Sequence, residues 1–442
     1  MANRTWWLCV LSGALVWRLG FCGVGFAQDS AMFRGDAAHS GIYAGSGVPK
    51  LNRVKWKFKT GGEVVSSPAV IGGVVYVGSN DGRLYAIDEA TGSLKWKLAT
   101  GARVSSSPAV ADGVVFFGSY DGNFYAVDAA TGKVKWKFKN AGERRYAATH
   151  LHGALPVGET MPDPFDVYLS SPVVWKGAVY FGSGDGNVYA LDAGSGAVKW
   201  KFKTGDVVHA SPAIADGRLF VGSWDSYFYA LDAATGAEVW RFKTGEDPDI
   251  HNQVGIQSSA TVVNGVVYFG CRDSKFYALD SATGKQVWMF PNNGSWVITS
   301  PVVRDGKVYM ATSDTALLHV LDAKTGAPIG SLKYHWPIFG SPAIAGSTLY
   351  LAGQDGKLVA IDLGAWKQVW AFQTEASREN LAGLSKPDGA PDYMKVTHGN
   401  FYDDVVTATD KLHAVGMILS SPVVSGGVVY FGSADGNVYA LN

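Results

Sequence analysis

The side chains best suited to chemistry here are histidines. Nine occur in 442 residues, and His150 and His152 sit two apart, a spacing that places both rings on one side of an extended segment. Imidazole is a common ligand for zinc, copper and iron, so the pair is a candidate metal site. It is also an ordinary groove residue, and neither an HExxH nor a CxxCH motif is present. A second candidate is EDPDIHNQ (246–253), where Glu246, Asp247, Asp249 and Asn252 offer oxygen ligands suited to calcium. A solvated acidic loop is the simpler account of that segment. The third candidate is Trp224 with Arg272. Exposed at one mouth, they would stack on or hold a planar anion; ordinary packing against loops is the alternative.

What positions these residues is a repeat. Trp56, Trp96 and Trp136 are 40 apart, as are Trp200 and Trp240, with Trp288 and Trp370 following. The one missing tryptophan falls at Gly330. Ser-Pro opens each unit, with prolines at 68, 108, 172, 212, 301, 342 and 422, and Ala260 stands in for one of them. Together these markers define eight units. Each reads as four short strands, in the first copy SPAVI (67–71), VVYVGS (74–79), RLYAID (83–88) and LKWKLAT (94–100). β-Branched and aromatic residues fill the runs, and Asn-Asp-Gly, Gly-Gly and Ala-Thr-Gly supply the reversals. Four antiparallel strands at this period describe propeller blades, so the expected fold is an all-β eight-bladed propeller.

The phrase Ala-x-Asp-x-x-Thr-Gly-x-x-x-Trp carries the repeat, as in Ala86, Asp88, Thr91, Gly92 and Trp96, and returns from Ala126, Ala190, Ala230 and Ala278. It resembles the tryptophan docking motif of the PQQ-type eight-bladed propellers. That superfamily holds quinoprotein alcohol dehydrogenases and the propeller lipoprotein of outer-membrane barrel assembly. The resemblance spans the mature chain and implies fold, not cofactor. A buried indole covers ~150–250 Å², and Trp56, Trp96, Trp136, Trp200, Trp240, Trp288 and Trp370 are the expected docking residues. The sixth unit departs most, with His319 for Tyr, Val320 for Ala and Gly330 for Trp. The seventh has Gly364-Ala365-Trp366 across its Thr-Gly region, so packing between these two is expected to be atypical and looser.

From each Trp to the next Ser-Pro the regular spacing is 12 residues, as from Trp56 to Pro68. Three connections are longer, giving insertions at about 141–168, 246–253 and 374–415. All join a last strand to the next first strand, so they share one face with the second-to-third strand turns and reach its central channel. Long loops on a rigid scaffold are where function usually sits. Seven of the nine histidines fall in these connections: His150, His152, His209, His251, His335, His398 and His413. With Trp224 and Arg272 they define the expected binding face.

The N-terminus reads as a signal peptide over 1–27, with Arg4, the apolar run WWLCVLSGALVW (6–17), and Gly25 and Ala27 before a mature start near Gln28. Twelve apolar residues are short for a spanning helix of ~20. Phe21 before Cys22 argues against lipidation, and peripheral membrane association is not indicated. Removal of 1–27 leaves Cys271 alone, in a slot that is serine in sister units, where a small buried side chain is expected. Residues 28–50 form a lead-in and 51–442 one propeller. Its final unit stops at FGSADGNVYALN without a fourth strand, while LNRVKWKFKT (51–60) is a fourth strand with no preceding three. We expect 51–60 to complete the C-terminal blade and close the ring.

Lys+Arg and Asp+Glu are 38 each, so no basic field recruits nucleic acid. The alternating lysines of KWKFK suit an outer edge strand that must not pair further. The expected function is an exported, periplasmic or extracellular, binding or scaffold propeller for a protein, glycan or small-molecule ligand. The first alternative is a PQQ- and calcium-dependent quinoprotein dehydrogenase. For that class the resemblance implies an Asp base, carboxylate and amide calcium ligands and often a vicinal disulfide. Adjacent cysteines and a haem motif are absent, and no catalytic residue is aligned. The second alternative is a metal-dependent enzyme using the clustered histidines.

Overall fold

A computed structural model describes residues 30–246, 254–292 and 294–442. Residues 1–29, where a signal peptide is expected, and His251, Asp247, Asp249 and Asn252 lie outside the described residues. The repeat becomes eight blades, each a four-stranded antiparallel sheet. The first is Ala69–Ile71, Val74–Ser79, Arg83–Asp88 and Leu94–Ala99. Its second strand is buried along its whole length because neighbouring blades cover both faces. The outermost strand alternates exposed and half-buried positions, with lysines on the exposed ones. In the seven blades whose third and fourth strands are consecutive in the chain, their register shifts one residue past the position that faces the tryptophan (Ala86 opposite Trp96 in the first) or, in the sixth, Gly330.

Neighbouring blades join through those tryptophans. The Trp56 indole donates to Glu89 O at 2.9 Å and lies against Gly92. Gly92 has φ of 74°, and a Cβ there would come within 2.6 Å of the indole Cγ, so only glycine allows the approach. The same donation runs from Trp96 to Ala129 O, Trp136 to Ala193 O, Trp200 to Ala233 O, Trp240 to Ser281 O and Trp288 to Ala323 O. Trp370 faces a blade with no such turn, and it donates instead to Val48 O of the lead-in at 2.8 Å.

The sixth-to-seventh junction is atypical in a specific way. Gly330 offers no indole, and the void is met from the other side: Trp366, at φ of 50°, packs its ring 6.3 Å from that of Tyr309 in the sixth blade. Both departures from the motif thus belong to one junction, with the tryptophan supplied by the receiving blade. It packs, half-buried, against the largest apolar cluster of the described residues, a reversed docking.

Around the channel, the Ser before each Pro forms a belt that the sequence reading missed. Ser67 N donates to Ser107 Oγ, Ser107 to Ser171, Ser171 to Ser211 and Ser211 to Ser259 at 2.9–3.0 Å. Ser300 donates to Ser341, Ser341 to Ser421, and Ser421 back to Ser67. These amides start the innermost strands, where no sheet partner is available, and the neighbouring hydroxyl satisfies them.

The lead-in is built into the channel rather than standing apart. Ser30–Ala31 pairs with Val110–Ala111, Ala37 O and Ala38 O accept from Ile214 N and Val262 N, and Ile42–Tyr43 runs parallel to Ile344–Ala345. Arg34 is buried among these strands and donates to Pro301 O at 2.5 Å and Pro342 O at 2.7 Å; burial pushes its pKa down to about 10. Further along, Val54–Lys59 pairs antiparallel with Asn437–Leu441, setting Trp56 opposite Ala440. The outer strand of the last sheet therefore comes from the other end of the chain. If this pairing holds the ring shut, deleting 51–60 lowers the thermal midpoint by more than the loss of one docking indole, itself worth about 3–5 kcal/mol. An unchanged midpoint in calorimetry refutes that role.

Candidate functional site

The first and third insertions meet above the channel. The first carries a hairpin of Ala147–Thr149 and Thr160–Pro162. The third folds into α1 (Glu375–Asn380) and α2 (Tyr402–His413). Asp403 and Asp404 in the first turn of α2, with Lys411 and His413 in the last, complement its dipole. Ala408, Thr409 and Leu412 form its buried face. Leu155 N donates to Asn400 O, Tyr402 N to Leu155 O, and Tyr402 Oη to Pro162 O at 2.6 Å. From the first insertion Tyr168 crosses to the far side of the channel, where its hydroxyl donates to Leu419 O at 3.0 Å.

Between the insertions and the fifth to seventh blades lies a cavity of about 510 Å³. Its walls are mainly apolar: Phe165, Trp296, Phe339, Val405, Ala408 and Leu412. His150, His152 and Asp314 supply polar edges. Asp314 is available for a structural reason. In six blades the Asp of the second-to-third strand turn accepts from a tyrosine four residues on, as Asp81 does from Tyr85 and Asp185 from Tyr189. The sixth blade's turn is one residue longer, so Thr315 is the residue four before His319, which stands at the tyrosine position; Asp314 is left exposed, accepting from Ser313 Oγ at 2.8 Å.

His150 and His152 do share this cavity, but not by way of an extended segment. Both have positive φ, 55° and 57°, in the turn Leu151–Gly153. His150 Nδ1 meets Ala154 O at 3.1 Å and His152 Nε2 meets Asp163 Oδ1 at 3.2 Å. His335 and His398 are exposed elsewhere, His398 against Lys411 Nζ. His413 bonds Glu63 Oε1 at 3.1 Å, and Glu246 is exposed. Among the described residues no group of three or more His, Cys, Asp or Glu converges as a metal site. Cys271 is fully buried, and burial followed by Asp273 pushes its thiol well up, away from reactivity.

Trp224 and Arg272 are not an exposed pair. Each is 1 % exposed, and the guanidinium is sandwiched 4.3 Å from the Trp224 ring and 4.4 Å from that of Trp296. It donates to Gln257 Oε1 and to the Asp163 carboxylate. Tyr146 stacks on Trp224 at 4.3 Å. The anion and the planar group that these residues hold are thus the chain's own Asp163 and Tyr146. Burial opposes the Asp163 charge, yet Arg272 and His152 outweigh it and hold its pKa well below the carboxylate range.

A second buried ion pair secures the same insertion. His209 Nδ1 donates to Asp166 Oδ1 at 2.7 Å, with Glu143 Oε2 at 3.8 Å from Nε2. Burial lowers the imidazole pKa, but Asp166 and then Glu143 raise it further, to about 9. Glu143 is itself fixed by Asn140, Ser183 Oγ and Gly184 N. Sequence reasoning singled out the blade residues and missed Glu143, Asp163 and Asp166. Their signal was acidic side chains within a long insertion, opposite His209 and Arg272 on the blades.

Residues 11–165, 166–295 and 277–442 match the profile of a PQQ_2-type family described as outer membrane protein assembly factor BamB. The chain belongs to this family. No curated protein matches the sequence. Among solved structures it is similar to BamB from Moraxella catarrhalis, with 17% identity, TM-score 0.64, and coverage of 89% of this chain and 100% of that one. Similarity to quinohemoprotein alcohol dehydrogenase from Comamonas testosteroni gives 15% identity, TM-score 0.66, and coverage of 93% and 80%. The computationally designed Ika8 protein gives 16% identity, TM-score 0.63, and coverage of 88% and 99%. At these identities the likeness is one of fold.

Two outcomes follow for the buried pairs. Arg272→Met leaves the Asp163 charge buried without its partner and is expected to destabilise by about 3–5 kcal/mol in urea denaturation; wild-type stability would show that the pair carries no weight. The His209 contribution is fully present below its unfolded pKa of ~6.5 and is lost as pH rises through about 9. The melting-temperature advantage of wild type over His209→Gln should therefore shrink across that window, and a flat difference contradicts a buried imidazolium.

Proposed function

We propose that the protein is an exported binding propeller whose working site is the cavity between α2, the first insertion and the sixth and seventh blades. The carrying observation is a mainly apolar pocket of about 510 Å³, built where the blade repeat is broken. That volume and lining suit a small apolar ligand or an apolar segment of a partner. Export is supported by Arg4 and the apolar run 6–17 ahead of small residues and by the family's description as an outer-membrane assembly factor. No described helix is long and apolar enough to cross a membrane.

The rival reading, a PQQ- and calcium-dependent dehydrogenase, is disfavoured by the donor set. Arg272 and Trp224, the candidates for holding a planar anion, are saturated by Asp163, Gln257 and Tyr146. The described residues do not gather three carboxylate or imidazole ligands. PQQ does not fit these side chains, and we derive no redox step.

The test uses the purified full chain with N-phenyl-1-naphthylamine, a neutral apolar fluorophore, and in parallel PQQ with calcium chloride. Expected is saturable fluorophore binding at one per chain, lost in Ala408→Trp, which fills the cavity. Stoichiometric PQQ uptake with alcohol-driven dye reduction would replace this reading by the dehydrogenase.

A further inference from the structure

A second, polar cavity of about 190 Å³ lies on the other side of α2. It is walled by Arg103, Arg145, Asn80, Glu63, Asp410 and His413. Thr409 of α2 lines both cavities. Its two guanidiniums are unlike the other charges around them. Arg144, next in the chain, is paired with Asp206 at 2.7 Å. No described carboxylate forms an ion pair with Arg103 or Arg145. The Arg145 Nε is buried with no hydrogen-bond partner, an arrangement that native proteins rarely leave without a purpose.

Arg103 is held in place beforehand, and so is the backbone on either side of Arg145. The Arg103 guanidinium carbon sits over the Tyr120 ring, 3.9 Å from its centroid. Arg145 is carried between Glu143, locked to Ser183 Oγ and Gly184 N, and Tyr146, stacked on Trp224 with its amide donating to Asp166 at 2.7 Å. Glu63 feels the Arg103 charge but is already engaged: one oxygen meets His413 and the other accepts from Asn80 at 3.1 Å. Asp410 is the remaining facing negative charge, and it is exposed. Two guanidiniums sharing one cavity repel each other, and an oxyanion relieves that repulsion through charge-assisted hydrogen bonds.

We propose that this cavity is a binding site for a small oxyanion, a carboxylate or a phosphate, held between Arg103 and Arg145. The volume admits several water equivalents of about 30 Å³ each, which suits a free anion or one acidic group of a larger ligand. The site is separate from the apolar cavity and stands or falls without it.

The experiment is titration calorimetry on the full chain at low ionic strength, with inorganic phosphate in one arm and succinate in the other; sodium chloride is the ionic-strength control. Expected is saturable binding of at least one of the two, near one per chain, with the arms deciding which oxyanion is preferred. Arg103→Gln and Arg145→Gln should each weaken it about tenfold or more while the circular dichroism spectrum and N-phenyl-1-naphthylamine binding persist. Asp410→Asn, which removes the facing negative charge, should tighten it several-fold, an effect that damage to the fold does not imitate. Absence of binding in both arms overturns the proposal. So does binding unaffected by the arginine substitutions, or unaffected by Asp410→Asn, which places the anion elsewhere.

Discussion

An indole lying flat on a glycine of the next blade is the contact on which this molecule depends. A single four-stranded sheet with aromatic residues on both faces cannot stay in water, and each blade is solvent for its neighbour's apolar surface. The tryptophan supplies both reach and direction: its ring covers area, and its N–H fixes the angle by finding one backbone carbonyl. Where one partner is lost the geometry is conserved by other means, with Val48 lending a carbonyl and Trp366 lending an indole from the opposite side. The contact matters more than which residue provides it.

With the ring secured in this way, the connections between blades are free to carry charge inward. Glu143, Asp163 and Asp166 descend from the first insertion onto His209 and Arg272, and all five are held in the mouth of the channel. Burial of such groups costs several kcal/mol unless each is paired and hydrogen-bonded. Here each has an oppositely charged partner, with His209 Nε2 alone making no hydrogen bond and facing Glu143 at 3.8 Å, so their net effect is to specify one seat for the insertion. That seat places His152, bonded to Asp163, and Phe165 against Trp296, which is how a polar lock shapes an apolar wall.

Much of the fold was legible because it repeats. Tryptophan spacing, Ser-Pro and the Asp-Gly turns each encode a local geometry that recurs once per blade, and local rules survive translation into structure. The insertions obey no period, so their partners were not legible. His150 and His152 line one cavity, but from a left-handed turn where an extended backbone was expected, because nothing in a two-residue spacing announces such a turn. Trp224 and Arg272 were read as exposed since the repeat places them at a surface turn; the insertion that buries them is distant in sequence. The serine of Ser-Pro was seen as a marker while its role in the belt was not, since that hydrogen bond exists only between units. His319, Gly330 and Trp366 did flag the blades beneath the cavity, where the regular pattern is broken.

One further consequence concerns time. Thr60 and Gly436, hydrogen-bonded through the Thr60 hydroxyl, are 376 positions apart, and the strand around Trp56 finds its partner only when the opposite end of the chain exists. Such remote pairing is slow to form. During synthesis the early strand VKWKFK must persist with an open edge and an unclaimed indole, the state most prone to sticking to other chains. Its alternating lysines then act as a guard during waiting, keeping the strand from misassembling until its proper neighbour arrives.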